Sequence, residues 1–388
     1  MLDWLIIGGG IHGTHLSRVL IGASGVAADR VRVLDPQDVP AATFFRFTQA
    51  TGMTYLRSPA VHNLDLDPHA LRRFAKRASG KRVARFVPPY DRPGLAFFRA
   101  HVDAVVKANG LGELRVRGRA CALTRRGAAL RVETEHGSLE SKRVILAIGI
   151  GEQPCWPAWA SSVSAHPDRV AHVFSPDFDA SRLRGARRIA IVGGGITAGQ
   201  LASSLACEGT AVTLFSRHAP RVHRFDSDPK WLGPRGLMPF AAEKSLTARR
   251  SLIAQARHRG SMPPEVAGRI ASAVAMKRVT VVAEEITSAG ITEGGVALTA
   301  ASGARIEVDR LVFATGFEAH RPGGRFLDEA VDQMGLECAA CGYPIVSPSL
   351  EWAPGLFVSG PLAELELGPA ARNIAGARAA GTRLARSA

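Results

Sequence analysis

Leu5-Ile6-Ile7-Gly8-Gly9-Gly10-Ile11-His12-Gly13 decides how the chain is read: an apolar run of strand type breaks into Gly-x-Gly-x-x-Gly and then into a helix-like segment. Gly8 permits a tight bend, Gly10 lets the backbone approach a pyrophosphate with no Cβ in the way, and Gly13 lets helix and strand pack closely. Free N–H groups at the start of the helix meet phosphate charge. A second apolar run, Val31-Arg32-Val33-Leu34, ends in Asp35, 22 residues after Gly13, where an acid holds a ribose hydroxyl. Strand, turn, helix, strand and terminal acid together predict a dinucleotide-binding unit.

The device recurs. Arg188-Ile189-Ala190-Ile191-Val192 leads into Gly193-Gly194-Gly195-Ile196-Thr197-Ala198, and the next strand, residues 211–215, runs into Ser216-Arg217-His218 with no acid at its tip. A carboxylate there repels a 2′-phosphate, whereas Arg217 pairs with one. The second unit is therefore expected to take NADPH rather than NADH, on Gly193, Gly195, Ala198 and Arg217. Each copy continues through short alternating runs and closes on an apolar strand ending in Ala-x-Gly, at Ala147-Ile148-Gly149 and at Ala314-Thr315-Gly316. The expected fold is α/β: two Rossmann-like dinucleotide-binding domains of three-layer β/β/α architecture, a repeat of function as well as of plan.

Between these landmarks, residues 36–42 are loop-like and Thr43-Phe44-Phe45-Arg46-Phe47 runs on into a polar and aromatic loop over 52–59. Helices are expected to start near 67 and to cover 94–107, where apolar residues recur at three and four. The runs 114–117, 120–123 and 130–133 are expected to form one antiparallel meander. Residues 154–176, rich in proline and carrying Trp156 and Trp159, are expected to cross between domains. The expected boundaries are 1–160 with 317–388 for the first domain, 161–184 for a linker, and 185–316 for a second domain inserted in the first. Near the C-terminus, Gly360 ends a strand, and Gly368-Pro369 is expected to start the last helix.

A chain of 388 residues with 46% hydrophobic content has room for two domains and a sizeable core. Its net charge of +15 comes from 42 arginines and 7 lysines spread along the sequence. With no basic helix and no aromatic-interleaved strand pair, specific nucleic-acid binding is not expected, while the positive field draws anionic ligands. No apolar stretch is long enough for a membrane span and no leader precedes the first strand, so a cytoplasmic protein is expected, with room for a homo-oligomer. Five cysteines fit reduced thiols. Cys338-Ala339-Ala340-Cys341 has the spacing of a redox pair or of half a zinc site, but Cys121, Cys155 and Cys207 lie singly and far off, so no metal is expected.

With two dinucleotide turns in one chain, the sequence resembles the two-dinucleotide flavoproteins, in which the first turn binds FAD and the second, inserted in the FAD domain, binds NADPH. Within that group it resembles most the flavin-dependent N-hydroxylating monooxygenases of the lysine and ornithine type. Their signature Asp-x3-(Leu/Phe)-Ala-Thr-Gly-Tyr-x4-(His/Pro) is met by Asp309, Phe313, Ala314, Thr315, Gly316 and Pro322, with Phe317 in place of tyrosine. The run Asp226-Ser227-Asp228-Pro229 follows the NADPH arginine as a similar stretch does in that group. The chain departs from it in being shorter, and Gly360 is followed by Pro361 where related reductases carry Gly-Asp.

The resemblance implies FAD on Gly8, Gly10, Gly13 and Asp35, with Met53 and Arg57 at its ring and Thr315, Gly316, Gly360 and Gly368 contributing to the cofactor sites. The dipole of the last helix would face the reduced ring. It implies a reduced flavin that captures O₂ as a C4a-hydroperoxide and passes one oxygen atom to a small nucleophilic, amine-type substrate. The segment 225–240, with Trp231, is expected to lie beside the substrate cleft. Two alternatives stay open: an NADPH-dependent reductase acting on a thiol or protein acceptor, for which Cys338 and Cys341 are the feature, and a non-catalytic FAD-binding sensor.

Overall fold

The computed structural model describes residues 1–207 and 209–386, the side chain of Cys207 excepted. The strand Leu2–Ile7 is central to the first sheet because four of its six side chains are buried, as a strand covered on both faces requires. It pairs in parallel with Val31–Asp35 on one side and with Gly137–Leu146 on the other. Leu356–Val358 extends the parallel set beyond Gly137–Leu146, and Arg115–Arg117 extends it beyond Val31–Asp35. The run 114–117 is thus a core-sheet strand and not part of the meander expected of it. Leu114 is buried and Val116 half-buried, and the alternation read there as one-faced packing reflects a strand at the end of the sheet.

The meander consists of Ala120–Arg126, Ala129–Thr134 and the first half of Gly137–Leu146. That last strand serves both layers. Residues 137–141 pair antiparallel with the meander, and 141–146 pair in parallel with Leu2–Ile7.

The second sheet is wholly parallel, in the order Val279–Val282, Ala211–Phe215, Arg188–Val192, Arg310–Phe313, Val170–His172. Its own antiparallel layer is Ile286–Ile291, Val296–Ala300 and Arg305–Val308. Val170–His172 falls inside 161–184, so that stretch is not only a linker. Val170 and Val173 are buried and close the sheet at the Arg310–Phe313 edge. The two connections between the halves run side by side, with Cys155 N–H donating to the Gly316 carbonyl at 2.9 Å and a bridge between Pro154 and Phe317.

Two further segments depart from expectation. Residues 42–50 form a helix, Ala42–Ala50, because Phe45 and Thr48 turn onto one buried side, where Phe45 joins Leu56, Phe97 and Phe98. The last helix is Ile374–Leu384, with Asn373 as its N-cap. Gly368 instead ends the short helix Glu364–Leu367 with a φ of 81°.

Both glycine turns are built by the same contacts. The Gly8 N–H donates to the Leu34 carbonyl at 2.9 Å and the Gly193 N–H to the Phe215 carbonyl at 2.9 Å. The Ala147 N–H donates to Ile7 and the Ala314 N–H to Val192, each at 2.8 Å. A Cβ on Gly8 would meet the Ala147 carbonyl oxygen at 2.6 Å, and one on Gly193 the Ala314 oxygen at 2.3 Å. Both glycines also hold positive φ, so a side chain is excluded twice over.

Candidate cofactor and substrate site

The first turn has two tight sides and one open one. A Cβ on Gly13 would fall 1.8 Å from the Gly8 carbonyl oxygen, whereas one on Gly10 would meet nothing within 4 Å. That open face beside uncapped helix amides suits a pyrophosphate. Asp35 is held at the turn: its Oδ2 accepts the Gly9 N–H at 2.6 Å and its Oδ1 the Gln37 N–H at 2.8 Å. These residues fit the adenine dinucleotide end of FAD.

In the second turn the register aligns Leu34 with Phe215, so Ser216 stands where Asp35 stands in the first. Its hydroxyl donates to the His218 carbonyl at 2.7 Å. Arg217 is exposed, makes no ion pair among the described residues, and lines the cavity between the halves. Ala198, at the position of the motif's third glycine, is fully buried in the second core.

A cavity of about 1400 Å³ opens between the two halves. It exceeds the ~300–1,000 Å³ usual for one drug-sized ligand. Of the sequence candidates, Met53, Arg57, Gly193, Gly195, Arg217, Thr315 and Gly316 line it. So do Ile11, just past the first turn, and Asn373, Ile374 and Ala375 at the start of the last helix. No side chain caps that helix, so its N-terminal dipole faces the cavity.

Arg57, at the cavity wall, is held by backbone carbonyls. Its Nη2 donates to the carbonyls of His223 at 2.6 Å and Phe225 at 2.8 Å, which ties the first domain to the 223–225 segment. Burial lowers its pKa to about 10, against the pull of Asp226. Thr315 is fixed from both sides. Its hydroxyl donates to the Cys155 carbonyl at 2.5 Å, and His172 Nε2 lies 3.1 Å from its oxygen. Because Phe174 N–H donates to His172 Nδ1, the ring carries its proton on Nε2. Burial lowers the His172 pKa to about 4, so the ring stays neutral.

Trp231, Gly360, Gly368 and the Cys338–Cys341 pair are not among the residues that line the cavity. Trp231 does not line the cavity: it packs against Phe240, Ile253, Tyr343 and Leu365, while Phe225, Asp226, Ser227 and Leu232 of the same segment reach the cavity. A Cβ on Gly368 would meet Leu237 at 3.4 Å and the Phe240 ring at 3.5 Å. Gly360 is buried beside the His12 ring, whose Nδ1 is 2.8 Å from the Ser359 hydroxyl. Cys338 and Cys341 lie outside the cavity, and burial pushes the Cys338 thiol up, away from a reactive thiolate. Among the described residues the cysteine that lines it is Cys155, also raised, by burial first and then by Glu318.

Asp226 belongs to the segment expected beside the cleft, but the sequence alone does not join it to Arg257 and Asn373. Asn373 Nδ2 donates to Asp226 Oδ1 at 3.2 Å, and Arg257 Nη2 lies 3.4 Å from Oδ2. They are 147 and 31 positions from Asp226, so no local pattern marks the group. No cluster of metal-binding side chains occurs among the described residues. No helix among them is long and apolar enough to cross a membrane.

The family model of pyridine nucleotide-disulphide oxidoreductases matches residues 2–381. No curated protein sequence matches the chain. Among solved structures, the reduced ornithine hydroxylase of Pseudomonas aeruginosa superposes with a TM-score of 0.76 at 16% identity, covering 100% of this chain and 98% of that one. The cadaverine monooxygenase of desferrioxamine biosynthesis from Erwinia amylovora, bound to FAD, gives 0.77 at 15% identity, covering 100% and 94%. The bacillithiol disulfide reductase of Bacillus cereus gives 0.63 at 18%, covering 100% and 98%. At such identities these likenesses establish the shared fold.

Proposed function

The chain belongs to the pyridine nucleotide-disulphide oxidoreductase family, and from that premise we propose that it is an FAD- and NADPH-dependent monooxygenase acting on a small nucleophilic, amine-type substrate with O₂. The observation that carries the reading is the paired turn: one copy keeps its acid, Asp35, and the other replaces it with Ser216 beside the exposed Arg217. A ribose with free hydroxyls suits the first and a 2′-phosphate the second. When bound, FAD would take a hydride from NADPH and, once reduced, activate O₂.

The chain's own part is to bind, orient and shield. Gly8, Gly10, Gly13 and Asp35 would hold FAD, and the uncapped start of Ile374–Leu384 would offset negative charge on the ring. Gly193, Gly195 and Arg217 would hold NADPH across the same cavity. Asp226, kept in place by Asn373 and Arg257, gives that cavity a carboxylate able to meet an ammonium or amine. The contacts of half-buried Thr315 with Cys155 and buried His172 keep the strand end rigid beside it.

The test is anaerobic mixing of the FAD-loaded protein with NADPH, followed by O₂. Bleaching by NADPH faster than by NADH, then oxygen-dependent return of the oxidised spectrum with amine-stimulated NADPH consumption and product hydroxylamine, supports the proposal. A yellow protein that NADPH does not bleach is a sensor. One bleached but reoxidised by disulfides and not by O₂ is a reductase.

A further inference from the structure

Gly9 is the glycine of the first turn that the dinucleotide motif does not call for. The bend needs Gly8, the phosphate approach Gly10 and the helix contact Gly13. Gly9 has no positive φ either. What a side chain there would have to displace is Arg115: a Cβ on Gly9 would lie 2.1 Å from its Nη1.

Arg115 enters from the strand Arg115–Arg117, and its side chain is 7% exposed. Nη2 lies 3.1 Å from Asp35 Oδ1, and Nε and Nη2 donate to the Gln37 carbonyl at 3.2 and 2.5 Å. Among the described residues Nη1 makes no hydrogen bond. A buried cation is therefore folded onto the turn, against the ribose acid, with one nitrogen uncommitted. The second turn has no such cation on its middle glycine: a Cβ on Gly194 would meet the Ser216 hydroxyl at 2.3 Å and the His218 ring at 3.0 Å.

We propose that Arg115 is an FAD-binding residue at the adenosine end, fixing the Asp35 carboxylate for the ribose and offering Nη1 to the adenosine. The inference rests on the FAD reading of the first turn. Gly9 is then glycine to admit the guanidinium. An arginine donates in a rigid fork that a lysine does not reproduce.

The test is titration of FAD-free protein with FAD, ADP and FMN, read by flavin fluorescence or calorimetry, for wild type, Arg115→Met, Gly9→Ala and the double variant. Gly9→Ala keeps the backbone N–H that holds Asp35 and displaces only the guanidinium, so it tests the idea even where Arg115→Met folds poorly. Each single change is expected to weaken FAD and ADP by about tenfold or more, the range of a lost charge-assisted hydrogen bond. FMN, which lacks the adenosine, binds all four proteins alike, and the double variant is no weaker than the worse single. The inference is overturned if Arg115→Met holds FAD and ADP as wild type does. It is equally overturned if Gly9→Ala costs as much in the Arg115→Met background as in wild type, since the methyl group would then be obstructing the cofactor itself. A wild-type protein that binds no FAD sinks the parent reading instead.

Discussion

Arg92 and Glu265 join the two domains by a two-pronged ion pair, Nη1 to Oε1 at 2.7 Å and Nη2 to Oε2 at 3.0 Å, with Arg92 only 1% exposed. Glu265 lies in the first turn of the helix Pro264–Ala275, whose dipole also favours a carboxylate. Burial raises its pKa, but the Arg92 hydrogen bonds, the helix-start N–H and the charges of Arg92 and Arg269 together outweigh this and leave it below the ordinary carboxylate range. Glu265→Ala leaves a buried guanidinium without its counter-charge, which costs about 3–5 kcal/mol. Urea unfolding is expected to show that loss, with much of it recovered in an Arg92→Met, Glu265→Leu pair. A change below about 1 kcal/mol would mean that water replaces the carboxylate.

Gly10 and Gly13 are expected to fail in different ways. Gly10→Ala places its methyl group in open space at a φ of −70°, so melting temperature stays near wild type while FAD binding is lost. Gly13→Ala drives a Cβ to 1.8 Å from the Gly8 carbonyl and is expected to unfold the turn itself. Thermal melts with and without FAD separate the two, and equal loss of stability in both would refute the assignment of Gly10 to ligand approach.

Coenzyme preference is expected to follow Ser216 and Arg217. Arg217→Ala removes a charge-assisted contact worth about 1.5–3 kcal/mol with NADPH and leaves NADH nearly unchanged. Ser216→Asp adds the acid that the first turn has, and is expected to shift preference further towards NADH. The readout is the ratio of kcat/KM for the two coenzymes. A ratio that neither change moves would place the 2′-phosphate elsewhere.

Acid is expected to destabilise the protein earlier than its carboxylates alone would dictate. Burial lowers the pKa of His12, His15, His62, His101 and His172 from 6.5 to about 4 each. An unfolded chain takes up those protons near pH 6.5, whereas the folded one resists them until about pH 4, so stability falls as pH drops through that window and is unaffected above it. Unfolding free energy, followed by denaturant titration from neutral pH into that window, should decline with a slope of more than one proton. A flat profile across the window would show that these rings are not held neutral.

How much of the fold the sequence makes legible differs from element to element. The two turns are legible, because each is a local pattern: an apolar strand, glycines at fixed offsets and a strand ending in an acid or without one. The helix Ala42–Ala50 is not, since its aromatic residues owe their helical conformation to packing against Phe97 and Phe98, far along the chain. Trp231 shows the same limit. Phe225 and Asp226 of the segment 225–240 line the cavity and Trp231 does not, and which of them faces inward depends on the helix Pro234–Ala242 and on Tyr343, which the local sequence does not specify.

The order of residues along the chain thus determined by itself that two nucleotide-holding units exist, where their bends fall, and that only one of them ends in an acid, because each of these follows from backbone sterics and charge within a short stretch. Tertiary structure alone decided that Arg115 lies on Gly9, that Arg57 ties the 223–225 segment down, and that Asp226 meets Asn373 and Arg257. Those contacts join side chains from distant strands and loops, and it is the packing of the two sheets that brings them within reach.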